Sequence, residues 1–207
     1  MQLPPGDTEL IQIMDAAFTG AARRAGPWLA CRPGCTQCCH GAFAINVLDA
    51  LRLQAGLSAL HLENPNLAEI VETRARAWVA THGPEFPGDL QTGLLGTSEE
   101  DQERFEDFAN HAACPALDPA TGRCDLYAHR PLTCRVFGPP VQIETGEEPG
   151  EQATALGCCE LCFVGASEEE IAACEMLVPH ELESCLLDQL APTGTTVVAF
   201  ALLQKPK

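Results

Sequence analysis

The chain has 207 residues, of which 46% are hydrophobic and 20% charged, proportions typical of a globular protein with one core. Aromatic residues make up only 5%, so Leu, Ala, Val and Ile must fill that core, which favours helices. The net charge of −17 has the wrong sign for binding a phosphate backbone or an anionic membrane surface. We therefore expect no nucleic acid and no membrane among its partners, and an acidic surface of the bacterial type that resists self-association.

Hydrophobic periodicity predicts a series of helices separated by irregular connections. The first helix runs from Asp7 to Ala25 and ends at Gly26-Pro27. Asn46, with Asp49 three residues later, is typical of a capping box and opens a second helix to about Ala55. Further helices are expected over residues 66–80 and 98–112, and two more follow the capping box at residues 167–170, with Pro179 between them and the last ending near Leu190.

The connections carry turn chemistry. Residues 83–96 are rich in Gly and Pro and are predicted to form a loop, Asp118 to Gly122 should form the turn of a small hairpin, and residues 143–151 should form an exposed loop. The pattern predicts a mainly α fold, a single irregular helical domain whose cysteine-bearing loops converge on one or two metal sites. The expected parts are an N-terminal helix packing on the core (1–30), a cysteine-cluster metal-binding domain (31–165) and a C-terminal helical extension (166–207).

The cysteines are expected to be reduced. The segment that starts at Met1 lacks the basic and apolar regions of a secretory signal. The apolar run from Val197 to Leu203 is far shorter than the ~20 residues that span a bilayer. These features predict a cytoplasmic protein, in which thiols stay reduced. Twelve cysteines in such a compartment favour metal ligation over disulfides.

Closely spaced thiols are the main functional signal. Cys31 to Cys39 contains four cysteines in nine residues, and the Cys-x2-Cys spacing of Cys35 and Cys38 lets two sulfurs of one turn reach a single ion. Cys114, Cys124 and Cys134 are ten residues apart each time, too widely spaced for a local knuckle, and need tertiary partners. Cys158, Cys159 and Cys162 form a third, closely spaced group. The candidate ligands are Cys31, Cys35, Cys38, Cys39, Cys114, Cys124, Cys134, Cys158, Cys159 and Cys162.

Soft thiolate ligands suit both zinc and iron–sulfur clusters. Four thiolates complete either a tetrahedral zinc site or a 4Fe-4S cluster, so the sequence leaves the two metals open. It also leaves open one site or two, and a role as buried or redox-active thiols. No catalytic triad, phosphate loop or Rossmann fingerprint is found, which favours a binding protein over an enzyme.

Several motifs combine into a pattern typical of one family. They are Gly34-Cys35-Thr-Gln-Cys38-Cys39, Ile45 to Leu53 with Asp49 and Arg52, Cys114-Pro, Cys124-x2-Tyr127-x2-Arg130-Pro131-x2-Cys134-Arg135, and a cysteine between Cys158 and Cys162. Together they resemble the YkgJ-like CxxCxxCC family of cysteine-cluster proteins, zinc- or iron-chelating domains. The resemblance covers residues 31–162 and implies metal binding more firmly than any reaction.

The same family includes the flagellin lysine N-methylase of some bacteria. The resemblance therefore also implies an alternative function, an S-adenosylmethionine-dependent protein-lysine methyltransferase, although no cofactor motif supports it. A metal carrier or redox sensor, with easily exchanged metal, is a further alternative.

The chain departs from the family pattern at both ends of the matching region. Cys31 stands four residues before Cys35, where the family has a Cys-x2-Cys spacing, which leaves the role of Cys31 open. Three cysteines between residues 158 and 162 compete for one position in the family pattern. The Cys-x3-Cys-x2-Cys spacing also occurs in radical SAM enzymes, but Gln37 stands where those motifs carry an aromatic residue. The alternation of strands and helices that their barrel requires is also missing from the sequence.

Other residues near the cysteines have two interpretations. Arg130 either donates hydrogen bonds to a thiolate-rich site or pairs with a local acid such as Asp125. Tyr127, the only tyrosine, is expected to pack in the core. Cys174 and Cys185 lie among apolar residues at helical spacing and are also expected in the core.

Overall fold

The computed structural model describes residues 2–144, 154–190 and 194–204, and helices dominate them, which confirms the mainly α fold. The α-helices of this part of the chain are α1 Asp7–Ala25, α2 Val47–Glu63, α3 Pro65–His82, α4 Glu99–Asp107, α5 Leu132–Val136, α6 Glu168–Ala172, α7 His180–Leu187 and α8 Val198–Leu203. None of these helices is long and apolar enough to cross a bilayer.

The connections between the helices contain short strands that pair two by two in antiparallel fashion. The strands are β1 Ile45–Asn46, β2 Gly88–Asp89, β3 Leu94–Leu95, β4 Leu117–Asp118, β5 Arg123–Cys124, β6 Val141–Glu144, β7 Thr154–Gly157 and β8 Thr195–Thr196. Strand β1 pairs with β8, β2 with β3, β4 with β5 and β6 with β7. Within the described ranges there is no parallel sheet, which agrees with the sequence argument against a radical SAM barrel.

The chain divides into two compact units. The first unit comprises Met1–Pro4, Pro33–Pro131 and Leu186–Lys207, and the second comprises Pro5–Arg32 and Leu132–Cys185. The division into parts 1–30, 31–165 and 166–207 stays a prediction.

The core of the first unit lies between α2, α3 and α8. Helix α8 is short but buried along its length, and its apolar residues pack with those of α2 and α3. Asn46 caps α2 as predicted, since its side-chain oxygen accepts the Asp49 amide at 3.0 Å. The helix continues past Ala55 to Glu63 because Leu57 extends its buried face. Asp49 and Arg52 form an ion pair of 2.5 Å inside this core, with each side chain 2% exposed.

Helix α4 is shorter than predicted. Ser98 caps it, but it ends at Asp107 and not at residue 112. Phe108 leaves the helix to pack edge-on against Trp78 and Phe86, and Ala109 adopts a positive φ of 52°. Burial of this aromatic ring therefore outweighs continuation of the helix. The predicted loop over residues 83–96 contains the β2–β3 hairpin.

The second unit is organised around α1, which has the predicted bounds. Its Asp15 pairs with the buried Arg135 of α5 at 2.6 Å, and its Arg24 donates to the carbonyl oxygens of Ala173 and Glu175. The capping box at Ser167 opens α6 as predicted. The predicted exposed loop over residues 143–151 is wrong at its start, where β6 continues to Glu144, and its residues 145–151 lie outside the described part.

Candidate metal centre

Cys38, Cys39 and Cys114 are brought together in the first unit by backbone pairing. Cys38 and Cys39 lie in a short 3-10 turn, Gln37–Cys39. The amide of Cys114 donates to the carbonyl oxygen of Cys39 at 2.8 Å, and His40 forms an isolated antiparallel bridge with Ala113. The two segments are 75 residues apart in sequence, yet these contacts place their cysteines side by side.

The predicted hairpin supplies a fourth thiol. Leu117 of β4 pairs with Cys124 of β5, and the Asp118 side chain accepts hydrogen bonds from the Ala120 amide and the Thr121 hydroxyl within the turn. Gly122 ends the turn with a φ of +68°, a conformation that favours glycine. The turn chemistry inferred from the sequence is confirmed, and it directs Cys124 back toward the Cys114 segment.

Cys35 lies in the loop that leads to the 3-10 turn. A side chain on Gly122 would meet the carbonyl oxygen of Gly34 at 3.2 Å, so this loop lies directly against the tip of the hairpin. Cys35 itself is half-buried. The first unit therefore contains five of the candidate ligands, Cys35, Cys38, Cys39, Cys114 and Cys124.

Four of these thiols influence one another's ionisation. A hydrogen bond from the Cys39 thiol lowers the pKa of Cys38 to about 6. The same hydrogen bond, burial, and the charges of Cys38, Cys114 and Cys124 raise the pKa of Cys39. Burial raises the pKa of Cys114 to about 12, with a further contribution from Cys124. Burial also raises the pKa of Cys124. We call Cys38, Cys39, Cys114 and Cys124 the four-thiol cluster.

Two arginines place positive charge beside the four-thiol cluster. Arg74 of α3 donates to the carbonyl oxygen of Leu117 and to the Asp125 carboxylate, which fastens the hairpin to α3. Its charge lowers the pKa of Cys114 slightly against the larger effect of burial. Arg130 contributes in the same direction at Cys38 and Cys124. Asp125 therefore pairs with Arg74, and the charge of Arg130 acts on the thiols.

Tyr127 is the residue next to the cluster for which the sequence interpretation is wrong. Its side chain is 64% exposed, not packed in the core. The guanidinium carbon of Arg130 lies 3.9 Å from the centre of its ring. This cation–π contact covers one face of the ring and holds Arg130 in place, which explains a tyrosine at the surface.

The other candidate ligands, Cys31, Cys134, Cys158, Cys159 and Cys162, lie in the second unit. Cys134 lies on α5, next to Arg135, which pairs with Asp15. Cys159 and Cys162 are buried, whereas Cys158 is exposed. The expectation that Cys174 lies in the core is confirmed, and the same expectation for Cys185 is wrong because Cys185 is exposed. Cys185 follows the apolar spacing of α7, but that face of the short helix is open to solvent.

The donor set of the four-thiol cluster fits a soft metal. Four thiols from three segments match the ligand number of a tetrahedral zinc site or a 4Fe-4S cluster. Among the described residues, no three His, Cys, Asp or Glu side chains already stand in a metal-holding arrangement. Coordination would thus draw the four sulfurs closer together than they lie here.

The fold and this cluster define a class of protein, a mainly helical domain that gathers cysteines from distant segments. The chain belongs to the CxxCxxCC family, described as a "putative zinc- or iron-chelating domain", whose profile matches residues 30–159, more than half of the chain. The family predicted from the sequence is thus confirmed, and membership supports metal binding in general. No curated protein and no solved structure matches the chain.

Proposed function

We propose that this is a cytoplasmic metal-binding protein whose first unit holds zinc or a 4Fe-4S cluster through Cys38, Cys39, Cys114 and Cys124. The observation that supports the proposal most directly is the backbone pairing that brings these thiols together from three separate segments: the Cys114 amide donates to the Cys39 carbonyl oxygen, and Leu117 pairs with Cys124. None of the twelve cysteines forms a disulfide, so the thiols of the four-thiol cluster are available as ligands.

A structural role fits the cluster better than a carrier role. Burial is the largest influence on the ionisation of Cys114 and Cys124, whereas a carrier needs accessible thiols for metal transfer. Bound zinc would supply a cross-link between the three segments, and a bound iron–sulfur cluster would add one-electron redox chemistry. The residues of the chain hold the ligands in place, with Arg74 fixing the hairpin and Arg130 offsetting thiolate charge.

Metal analysis of protein purified without oxygen tests the proposal. We expect at least one zinc, or about four iron and four sulfide, per chain. A colourless metal-loaded protein indicates zinc, and a brown one absorbing near ~400 nm indicates iron–sulfur. Protein with less than one metal equivalent and fully titratable thiols would contradict the proposal.

Substitutions then test the ligand set. Cys114→Ser and Cys124→Ser should each remove the metal of the first unit, since a hydroxyl is a poor replacement for a thiolate. The matched control is Cys185→Ser, which changes an exposed thiol outside the first unit and should leave the metal content unchanged. Cys35→Ser should also retain the metal. If this variant loses the metal, Cys35 is a ligand in place of one of the four proposed cysteines.

A further inference from the structure

Large apolar side chains are exposed around the base of the β6–β7 hairpin in the second unit. Val164 and Leu177 are the most exposed of them, at 73% and 75%. Apolar side chains exposed singly are ordinary, but a group of them on neighbouring segments marks a surface that contacts another molecule. We call the group the apolar patch, and its members are Phe137, Ile143, Leu161, Val164 and Leu177.

The turn that follows β7 lies against the segment that precedes β6. The Cys159 amide donates to the carbonyl oxygen of Gly138 at 3.3 Å. Phe137 precedes this glycine, and Leu161 lies two residues after the cysteine. These two exposed side chains therefore belong to adjoining segments.

The exposure of Val164 follows from the conformation of its neighbour, Phe163. The backbone of Phe163 has a positive φ of 56°, an unusual and strained conformation for a bulky residue. Its amide donates to the carbonyl oxygen of Trp28 at 2.9 Å, and its ring is buried. Burial of the ring offsets the strain, and the chain reverses at this point. Val164 is thus held at the surface by the packing of the residue before it.

Leu177 and Ile143 adjoin the same hairpin. The Met176 amide donates to the carbonyl oxygen of Pro140 at 2.7 Å, which places Leu177 beside the start of β6. Ile143 lies in β6, and a Cβ atom on Gly157 of β7 would lie 3.1 Å from its Cδ1 atom. The Ile143 side chain therefore covers the strand that leads into the turn of Leu161.

The sequence around the apolar patch contains many acids and no cationic side chain of Lys or Arg. Residues 136–185 include eleven glutamates and neither a lysine nor an arginine. Glu160 in the turn, and Glu168 and Glu169 at the start of α6, are exposed. Arg24 reaches this region from α1, but its guanidinium donates to two backbone carbonyl oxygens. The surface around the patch therefore has a negative potential that attracts cations.

We propose that the apolar patch docks a basic segment of another protein, one that presents Lys or Arg side chains beside apolar ones. The apolar side chains of that segment cover the patch, and its cations meet the surrounding glutamates. A second copy of this chain would bring like charges together, since each copy carries −17, and the same charge opposes an anionic membrane. Docking here uses no residue of the four-thiol cluster, so it does not depend on the proposed metal.

Fluorescence anisotropy with the full chain and a labelled peptide tests the proposal. The probe is a synthetic peptide of lysine and leucine at amphipathic helical spacing, and the control peptide has glutamate in place of each lysine. We expect only the lysine peptide to bind. Its affinity should fall about tenfold or more between about 0.1 M and 1 M salt, because the Debye length shortens from about 10 Å to 3 Å. Equal binding of the two peptides would overturn the proposal.

Substitutions then locate the binding on the apolar patch. Val164→Ser combined with Leu177→Ser should weaken binding of the lysine peptide by about tenfold or more, since docking buries both side chains. The matched control is Leu62→Ser combined with Leu90→Ser, which removes two exposed apolar side chains of the first unit. Wild-type affinity in the Val164 and Leu177 variant, or an equal loss in both variants, would overturn the proposal.

A pair of charge variants tests the role of the glutamates. Glu168→Gln combined with Glu169→Gln should weaken binding about threefold, whereas Glu99→Gln combined with Glu100→Gln, the same two positions of α4, should not change it. Equal effects of the two pairs would overturn the proposal.

Sedimentation velocity distinguishes a basic partner from a second copy of the chain. The wild-type protein alone should sediment as a monomer. A dimer that Val164→Ser combined with Leu177→Ser abolishes would show that a second copy occupies the patch, and it would overturn the proposal.

Discussion

Helix α2 packs closely against the turn Tyr127–His129, and Gly56 is the residue of α2 at this contact. A Cβ atom at Gly56 would lie 2.5 Å from the Cβ atom of His129 and 2.6 Å from its Cγ atom. Ordinary carbon contacts are about 3.5–4.0 Å, so Gly56→Ala requires the helix and the turn to separate by about 1 Å. Overpacking of this kind costs about 1–3 kcal/mol, and we expect the upper end because a Cβ atom cannot rotate away. The gain in helix propensity offsets about 1 kcal/mol, which leaves a net loss of about 2 kcal/mol.

Urea denaturation followed by circular dichroism measures this loss, and Gly20→Ala is the control. Gly20 lies inside helix α1, and the added methyl group would meet only the Nη1 atom of Arg24, at 3.5 Å. Gly20→Ala should therefore raise the free energy of unfolding by about 0.4–1 kcal/mol. If Gly56→Ala stabilises the protein as much as Gly20→Ala does, the close packing of α2 against the turn of His129 is refuted.

Three more outcomes are expected. Arg74→Met should lower the free energy of unfolding by about 2–3 kcal/mol in urea denaturation, because it leaves the Asp125 carboxylate, 11% exposed, without its cation. Arg76→Met, which removes a cation that is 53% exposed, should change the free energy of unfolding by no more than about 0.5 kcal/mol. An equal loss of stability in the Arg74 and Arg76 variants would contradict the role of Arg74. The hydrogen bond from His61 lowers the pKa of Glu72, so this pair stabilises the fold above the ordinary Glu pKa of 4.5 and loses its effect as pH falls through the lowered value. Between about pH 5 and pH 3, the Glu72→Gln variant should therefore lose slightly less stability than the wild-type protein, by a few tenths of a kcal/mol because the pair is exposed. Identical pH profiles of the two proteins would argue against a stabilising His61–Glu72 pair. Removal of metal with a strong chelator should lower the melting temperature by about 2–4 °C for each kcal/mol of metal-linked stability, and an unchanged melting curve would argue against a structural metal.

Local signals account for what the sequence predicted correctly. The bounds of α1, the Asn46 cap, the capping box at Ser167 and the hairpin at Asp118 each depend on residues within about one turn of each other, so spacing and side-chain chemistry were sufficient. The end of α4 was predicted wrongly because it depends on Phe108, whose aromatic partners come from distant segments. No local pattern contains that information.

The grouping of the cysteines was beyond the sequence for the same reason. Cys31 and Cys35 are four residues apart and look like one motif, yet they belong to different units. Each segment forms long-range hydrogen bonds with a different partner. The Ala30 amide donates to the Cys162 sulfur, whereas the Cys39 carbonyl oxygen accepts the Cys114 amide. Spacing indicates which residues are candidate ligands. It could not indicate which of them share a site.

The four-thiol cluster lies beside two arginines, Arg74 and Arg130, in a protein whose net charge is −17. Burial raises the pKa of Cys114 to about 12, whereas the hydrogen bond from Cys39 lowers the pKa of Cys38 to about 6. Metal binding at the proposed site would therefore release protons and create several half-buried thiolates at once. Arg74 and Arg130 supply the compensating charge. Each is held by a contact that does not involve the thiols, Arg74 by the Asp125 carboxylate and Arg130 by the Tyr127 ring.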